Sequence, residues 1–414
     1  MQSDIRQPQL INATDRCVMC GMCLPHCPTY QITRDEGESP RGRIALIQGL
    51  ANGRLAPTTR VEDHLEHCLG CRACEAMCPS GVAYGEIIDG GRALLHQQGK
   101  SEPRPRLLYS LVPRPRRLRL FGRTLRLLQL SGLQALARGI GLTRALGLAR
   151  LDALLPRLAP LPSWRDYYPP AGRHRGEVAL FLGCFADFAD RPALNAVVRL
   201  LTRLGYGVHI PPRQTCCGAL HLHQGDRYIA QHLAECNTAA FNGLRVDAVI
   251  HAASGCGATL TEYPRNDFPR LTAPVYDIST FLAMNPWPED AVLAPLPKRV
   301  AVHDPCNLSH VLRQAGAPYQ LLARIPELES VALPDNRRCC GAAGSYMLTQ
   351  PDVADRLRDD KIEALRALDA QILVSSNPGC ALHLRAGIKA AGLNIPVMHP
   401  IELLVAQLDA VRAA

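Results

Sequence analysis

The chain has 414 residues, 17 cysteines and a formal net charge of +9 at neutral pH, enough length for two or three domains with buried cores. No apolar run approaches the roughly 18–20 residues of a spanning helix, and the polar start MQSDIRQPQL carries no signal-peptide pattern. The expectation is a soluble or peripheral protein, cytoplasmic or on the inner face of the cell membrane, whose cysteines ligate metal rather than form disulfides.

Residues 1–99 hold two four-cysteine runs. Cys17-x2-Cys20-x2-Cys23-x3-Cys27-Pro28 is repeated as Cys68-x2-Cys71-x2-Cys74-x3-Cys78-Pro79. Three thiolates spaced two residues apart on one turn reach three corners of an iron–sulfur cubane, and the displaced fourth ligates the other cluster. Cys17, Cys20, Cys23 and Cys78 are therefore assigned to one [4Fe–4S] cluster, and Cys27, Cys68, Cys71 and Cys74 to a second. Pro28 and Pro79 turn the chain away and remove a backbone donor. Two zinc knuckles would leave the doubled pattern without a reason. Ile44–Gly49 and Val61–His67 read as helical, which predicts a helical dicluster ferredoxin-type domain. Arg41 and Arg43 between the runs either neutralise cluster charge or cap a helix.

Residues 100–170 are free of cysteine and rich in Arg, Leu and Pro. Between Lys100 and Arg157 stand thirteen Lys or Arg against Glu102 and Asp152 alone, so the basicity is local. Arg114–Arg119, Arg123 and Arg126 interleaved with Leu suit either an interfacial helix on anionic lipid or an acidic partner subunit. Nucleic acid is not the expected partner.

Residues 171–414 contain an internal repeat. Val178–Cys184 corresponds to Val300–Cys306, Cys216-Cys217-Gly218 to Cys339-Cys340-Gly341, and Ala248–His251 with Cys256 to Ile372–Ser375 with Cys380. The matching cysteines are 122, 123 and 124 residues apart. Strands alternating with helical stretches at Pro192–Leu204 and Pro351–Leu368 predict two pseudo-symmetric α/β lobes, 171–290 and 291–414, with parallel sheets. The whole is an α+β multidomain chain. Cysteines at the carboxyl ends of strands fit the ligand crevice of such sheets.

Each lobe thus offers four thiols: Cys184, Cys216, Cys217 and Cys256, then Cys306, Cys339, Cys340 and Cys380. Adjacent cysteines suit two irons of one cluster better than one tetrahedral ion, and Gly218 and Gly341 allow close approach of the backbone. One further cluster per lobe, one working and one degenerate site, structural zinc and free thiols all stay open. His221, His223 and His303-Asp304 near these motifs either donate to cluster sulfur or carry a proton, or simply satisfy loop backbone. Cys236, outside both repeats, reads as a small buried apolar residue of a helix.

The lobe pattern resembles the cysteine-rich domain of the heterodisulfide reductases, whose motif ends in CxxC and helps hold a non-cubane [4Fe–4S] cluster. Here Ala253 and Asn377 stand where the first cysteine of that final pair would be, so neither lobe offers five-cysteine ligation.

Nearly the whole chain except the basic segment resembles the iron–sulfur subunit of glycolate oxidase. The resemblance rests on CPTYQ at 27–31, SPRGRIALI at 39–47, CLGCRACEAMCPSGVAYGEIIDGGR at 68–92, CCGALHLHQGD at 216–226, SGCGA at 254–258, HDPCNL at 303–308 and CCGAAGSY at 339–346. It implies a complex in which FAD-linked subunits oxidise glycolate to glyoxylate, and D-lactate to pyruvate, while this chain passes electrons toward a membrane quinone or similar acceptor. No GxGxxG follows a strand and no flavin or nicotinamide fingerprint is present, so this chain is expected to transfer electrons only. The rival readings are a subunit of another 2-hydroxy-acid or lactate oxidase, a reductase of the heterodisulfide type, and a zinc-binding scaffold.

Overall fold

The computed structural model describes residues 7–99 and 105–413. The N-terminal part is helical, as expected: Gln7–Asp15, Pro40–Ala51, Thr59–Glu66 and Tyr84–Gln97 pack around Ile44, Ile47, Leu65, Ile87 and Ile88. Ser39 caps the second of these, its Oγ accepting from Gly42 N at 2.9 Å with Pro40 in the first turn. The two cysteine loops share one backbone path. Met19 and Gly70 take φ of 57° and 59°, and Gly21 and Arg72 take 82° and 60°. Each pair occupies matching positions of the two motifs, so a left-handed residue recurs before and after the second cysteine. At Met19 and Arg72 that conformation is held against a steric cost, which marks the loops as over-determined by their surroundings.

Next come helices at Arg106–Leu111, Pro115–Leu130, Leu133–Gly139, Leu142–Ala145 and Ala149–Leu154. Lys100, Glu102 and Arg104 lie outside the described residues. Strand β1 (Tyr167–Tyr168) follows and pairs antiparallel with β3 (Tyr206–His209). The expected boundary at 170 therefore needs correcting: the last residues of the basic segment are an edge strand of the first lobe's sheet.

That sheet runs β1-β3-β2-β4-β5, with β2 (Gly176–Phe181), β4 (Ala248–His251) and β5 (Val275–Asp277) parallel to β3. The second runs β7-β6-β8-β9, all parallel, from β6 (Arg299–His303), β7 (Glu329–Ala332), β8 (Ile372–Ser375) and β9 (Val397–Met398). In both, the second strand of the unit lies outside the first, and the third and fourth lie on its other side. Val178–Phe181 and Val300–His303 are buried along their whole length, as strands covered on both faces must be. One hydrophobic core crosses between the lobes, joining Leu194, Val197 and Leu201 to Ile401, Leu404 and Leu408.

Candidate metal centres

In each sheet the first and third strands are neighbours whose connections leave to opposite sides. The crevice at their carboxyl ends is the place where such folds hold ligands. Cys184 and Cys256 follow β2 and β4, and Cys306 and Cys380 follow β6 and β8. The Cys-Cys-Gly loops arrive from β3 and β7. The sequence therefore delivers four thiols to each crevice.

The helical domain forms two cavities. One, about 440 Å³ including its open mouth, is lined by Cys17, Cys20, Cys23, Cys74 and Cys78. The other, about 290 Å³ on the same measure, is lined by Cys27, Cys68, Cys71 and Cys74. Cys17, Cys20, Cys23 and Cys78 thus share one cavity and Cys27, Cys68 and Cys71 the other, while Cys74 lines both. Cys20 is exposed, whereas Cys27, Cys68, Cys71 and Cys74 are all buried.

Burial pushes the Cys71 and Cys74 thiols well up, and neighbouring thiolates push them further. Buried thiols such as these two are stable as thiolates only with positive charge beside them, which bound iron would supply. No three of these ligand atoms lie within 4.8 Å of one another among the described residues. An all-thiolate donor set fits an iron–sulfur group.

Arg43 is 1% exposed. Its guanidinium bonds Glu38 Oε2 at 2.5 Å, Thr29 Oγ1 at 3.0 Å and the Glu38 carbonyl, and lies 4.0 Å from Cys27 Sγ. Burial works against its charge, but the thiolates of Cys68 and Cys27, with Tyr84 and Glu38, more than offset that. Arg43 is therefore a buried counter-charge to the second thiol set. Arg41 lies at the surface, paired with Glu36 and bonded to the Met19 carbonyl at 3.0 Å beside the first set. Tyr84, which lines both cavities and puts its hydroxyl 3.5 Å from Cys68 Sγ, was missed by sequence reasoning.

In the first lobe the thiols of Cys184, Cys216, Cys217 and Cys256 lie close enough to shift one another: Cys216 and Cys256 hold Cys217 well below the usual thiol range, and Cys216 and Cys256 are themselves raised. Asn237 Nδ2 donates to the Cys216 carbonyl at 2.9 Å and Tyr263 Oη to that of Cys217 at 2.9 Å, fixing the loop. In the second lobe Cys306 meets Cys339, Cys339 meets Cys340, and Cys340 Sγ lies 3.0 Å from Cys380 Sγ. Lys361, 3% exposed, bonds the Asp335 carbonyl and places its charge beside Cys339 and Cys340. Gly218 and Gly341 take φ of 91° and 87°. The close approach they permit is to the backbone of the following helix: a Cβ on Gly341 would meet the Ala354 carbonyl oxygen at 2.5 Å.

His221 packs edge-on against Tyr109 and faces Asp226, and His223 bonds Asp89 at 3.0 Å across to the helical domain. Both side chains have a structural use. Cys236 sits in helix Arg227–Phe241 as expected, but it is half-buried rather than buried, 3.7 Å from His232 Nε2.

The second thiol set abuts the second lobe. Leu69, Cys71 and Ala73 belong to the same core as Cys339, Cys340 and Cys380, and the Cys306 thiolate helps raise Cys71. At this joint Tyr346 bonds the His67 carbonyl at 3.1 Å, while Arg72 to Glu262 at 2.5 Å and Arg92 to the His223 carbonyl at 3.1 Å tie the helical domain to the first lobe.

Family models match along the chain in the same order. Residues 13–82 match a 4Fe-4S dicluster domain, 104–155 the linker region of the glycolate oxidase iron-sulfur subunit, and 178–261 and 300–385 a cysteine-rich domain. The probable glycolate oxidase iron-sulfur subunit of Bacillus subtilis is 37% identical over 94% of this chain and 93% of its own. The glycolate oxidase iron-sulfur subunit of Escherichia coli is 31% identical over 99% and 98%. Lactate utilization protein A of Geobacillus thermodenitrificans is 31% identical over 55% of this chain and 98% of its own. Cysteine motifs, linker and lobes all coincide with these matches, and the chain belongs to the family of glycolate oxidase iron-sulfur subunits.

Proposed function

We propose that this chain is the electron-transfer subunit of a complex in which an FAD-linked subunit oxidises glycolate to glyoxylate, or D-lactate to pyruvate. The electrons leave toward a membrane quinone or similar acceptor. Cys17, Cys20, Cys23 and Cys78 hold one [4Fe–4S] cluster, Cys27, Cys68, Cys71 and Cys74 the second, and each pseudo-symmetric lobe holds one further iron–sulfur centre. Such groups, when bound, supply the one-electron carriers that thiols lack.

The observation that carries this reading is continuity. The cavity of the first set, where Cys20 is exposed, shares Cys74 with that of the second, and Cys71 of the second shares a core with the thiols of lobe two. This chain's residues build an insulated line of stations from surface to interior. The test is co-purification with the FAD-linked subunits, followed by dye reduction. Glycolate should drive reduction only with the flavoprotein present, and faster than D-lactate. Reduction by glycolate with this chain alone sinks the subunit assignment, and D-lactate as the faster substrate moves the complex to lactate.

Peripheral membrane contact has its own support. Leu120, Leu127, Leu130, Leu133, Leu136 and Ile140 are each more than half exposed, beside exposed Arg114, Arg116 and Arg117. No helix among the described residues is long and apolar enough to cross a membrane. An apolar face rimmed by arginine suits an anionic lipid surface. Neutralising Arg114, Arg116, Arg117 and Arg119 should weaken retention on anionic vesicles by about 1 kcal/mol per residue. Unchanged retention removes the membrane and leaves an acidic partner subunit.

A further inference from the structure

The two lobes differ in what surrounds their thiols. Phe181 ends β2, whereas the matching position at the end of β6 is His303. A ring nitrogen of His303 and the Sγ atoms of Cys340 and Cys380 all lie within 4.8 Å of one another, and among the described residues no other three potential ligands converge so tightly. The imidazole is 2% exposed. Its Nδ1 lies 3.0 Å from Ser375 Oγ, and its Nε2 is buried without a hydrogen-bond partner.

A buried imidazole nitrogen is costly to leave unmatched. With Nδ1 donating to Ser375, Nε2 keeps an unmatched lone pair. A hydrogen bond on one nitrogen commonly sets the tautomer of a histidine whose other nitrogen binds metal. Asn377, which replaces the cysteine missing from the five-thiol pattern, donates its Nδ2 to Cys380 Sγ at 3.3 Å. It supplies no ligand of its own. In the first lobe the imidazole at the end of β4, His251, lies 3.7 Å from Asp277 and joins no tight group with the thiols there.

We propose that His303 is a nitrogen ligand of the metal centre in the second lobe, standing in for the absent fifth thiolate, so that the two lobes bind their centres through different donor sets. This rests on the reading that the second lobe holds an iron–sulfur cluster. Imidazole is neutral where thiolate is charged, so the centre is easier to reduce than it would be with cysteine at that place.

The test uses the full-length chain with its centres in place, labelled with 15N-histidine. Iron and acid-labile sulfide are first counted against a Cys339→Ser/Cys340→Ser variant. Pulsed EPR on the poised second-lobe centre then reads nitrogen coupling. We expect a strong coupling from directly bonded nitrogen that changes with the isotope and disappears in His303→Gln. In His303→Cys the iron content should hold while the midpoint potential falls. Where neither variant accumulates, the isotope effect in the unsubstituted chain decides alone. Iron present with only the weak coupling of a hydrogen-bonded nitrogen, or a strong coupling that survives His303→Gln, overturns the ligand assignment and leaves the cluster reading standing. Equal iron in the chain and the double-serine variant overturns both.

Discussion

Arg43 holds together three things that lie far apart in sequence: Cys27, the Glu38 loop and the His64 carbonyl, which its Nε bonds at 2.6 Å. Glu38 is itself buried and receives His64 and His67 at 2.7 and 2.9 Å. Replacing Arg43 with Leu leaves that carboxylate short of its main counter-charge, a change that costs about 3–5 kcal/mol in buried pairs. Denaturant unfolding should show the loss, together with iron loss from the second thiol set and retention of the lobe centres. A Glu38→Gln/Arg43→Leu double variant should recover part of the stability, and no recovery would argue that the guanidinium acts on the thiolates alone. Such roles are hard to read in advance. The cysteines were legible because ligation fixes their spacing on one short loop. Arg43 and Lys361 were not, because their charges face partners delivered by other segments, and SPRGR reads equally well as a helix start. Ser39 does cap that helix, so one reading of the motif concealed the other.

Elements carry the repeat more faithfully than side chains do. The strands Ala248–His251 and Ile372–Ser375 appear with the limits read from sequence, and the helices near Pro192 and Pro351 begin within a residue of expectation. Apolar runs between turn residues leave little choice when both faces are covered. The edge strand Tyr167–Tyr168 escaped because two residues have no periodicity and pairing alone makes them a strand. The Cys-Cys-Gly loops show where equal motifs part. An added Cβ meets a carbonyl oxygen at 2.5 Å from Gly341 but at 3.2 Å from Gly218. Both substitutions to Ala force a left-handed alanine, at a cost of order 1–3 kcal/mol. Gly341→Ala should sit at or above the top of that range and Gly218→Ala near the bottom. Thermal unfolding with iron retention would check the order, and equal effects would mean that the helix at Ala354 yields freely.

At the scale of the molecule, the helical domain and the second lobe meet through their ligand residues rather than beside them. Stripping metal with a chelator should therefore loosen both at once. Metal binding supplies folding free energy, so the expected fall in Tm is at least about 10 °C in a single shared transition. Calorimetry resolving two independent steps would contradict the shared core around Cys71. Domain order was readable from cysteine grouping, but this joint was not, since it depends on how three folded parts pack. It also dictates an order of assembly. Cys20 still faces solvent in the finished chain, so the first site stays within reach of a delivering protein. Cys71 does not, because it is buried in one core with Cys339, Cys340 and Cys380 of the second lobe. A metal group that uses Cys71 is then expected to be in place before the second lobe packs, and one that uses Cys20 to be loaded last.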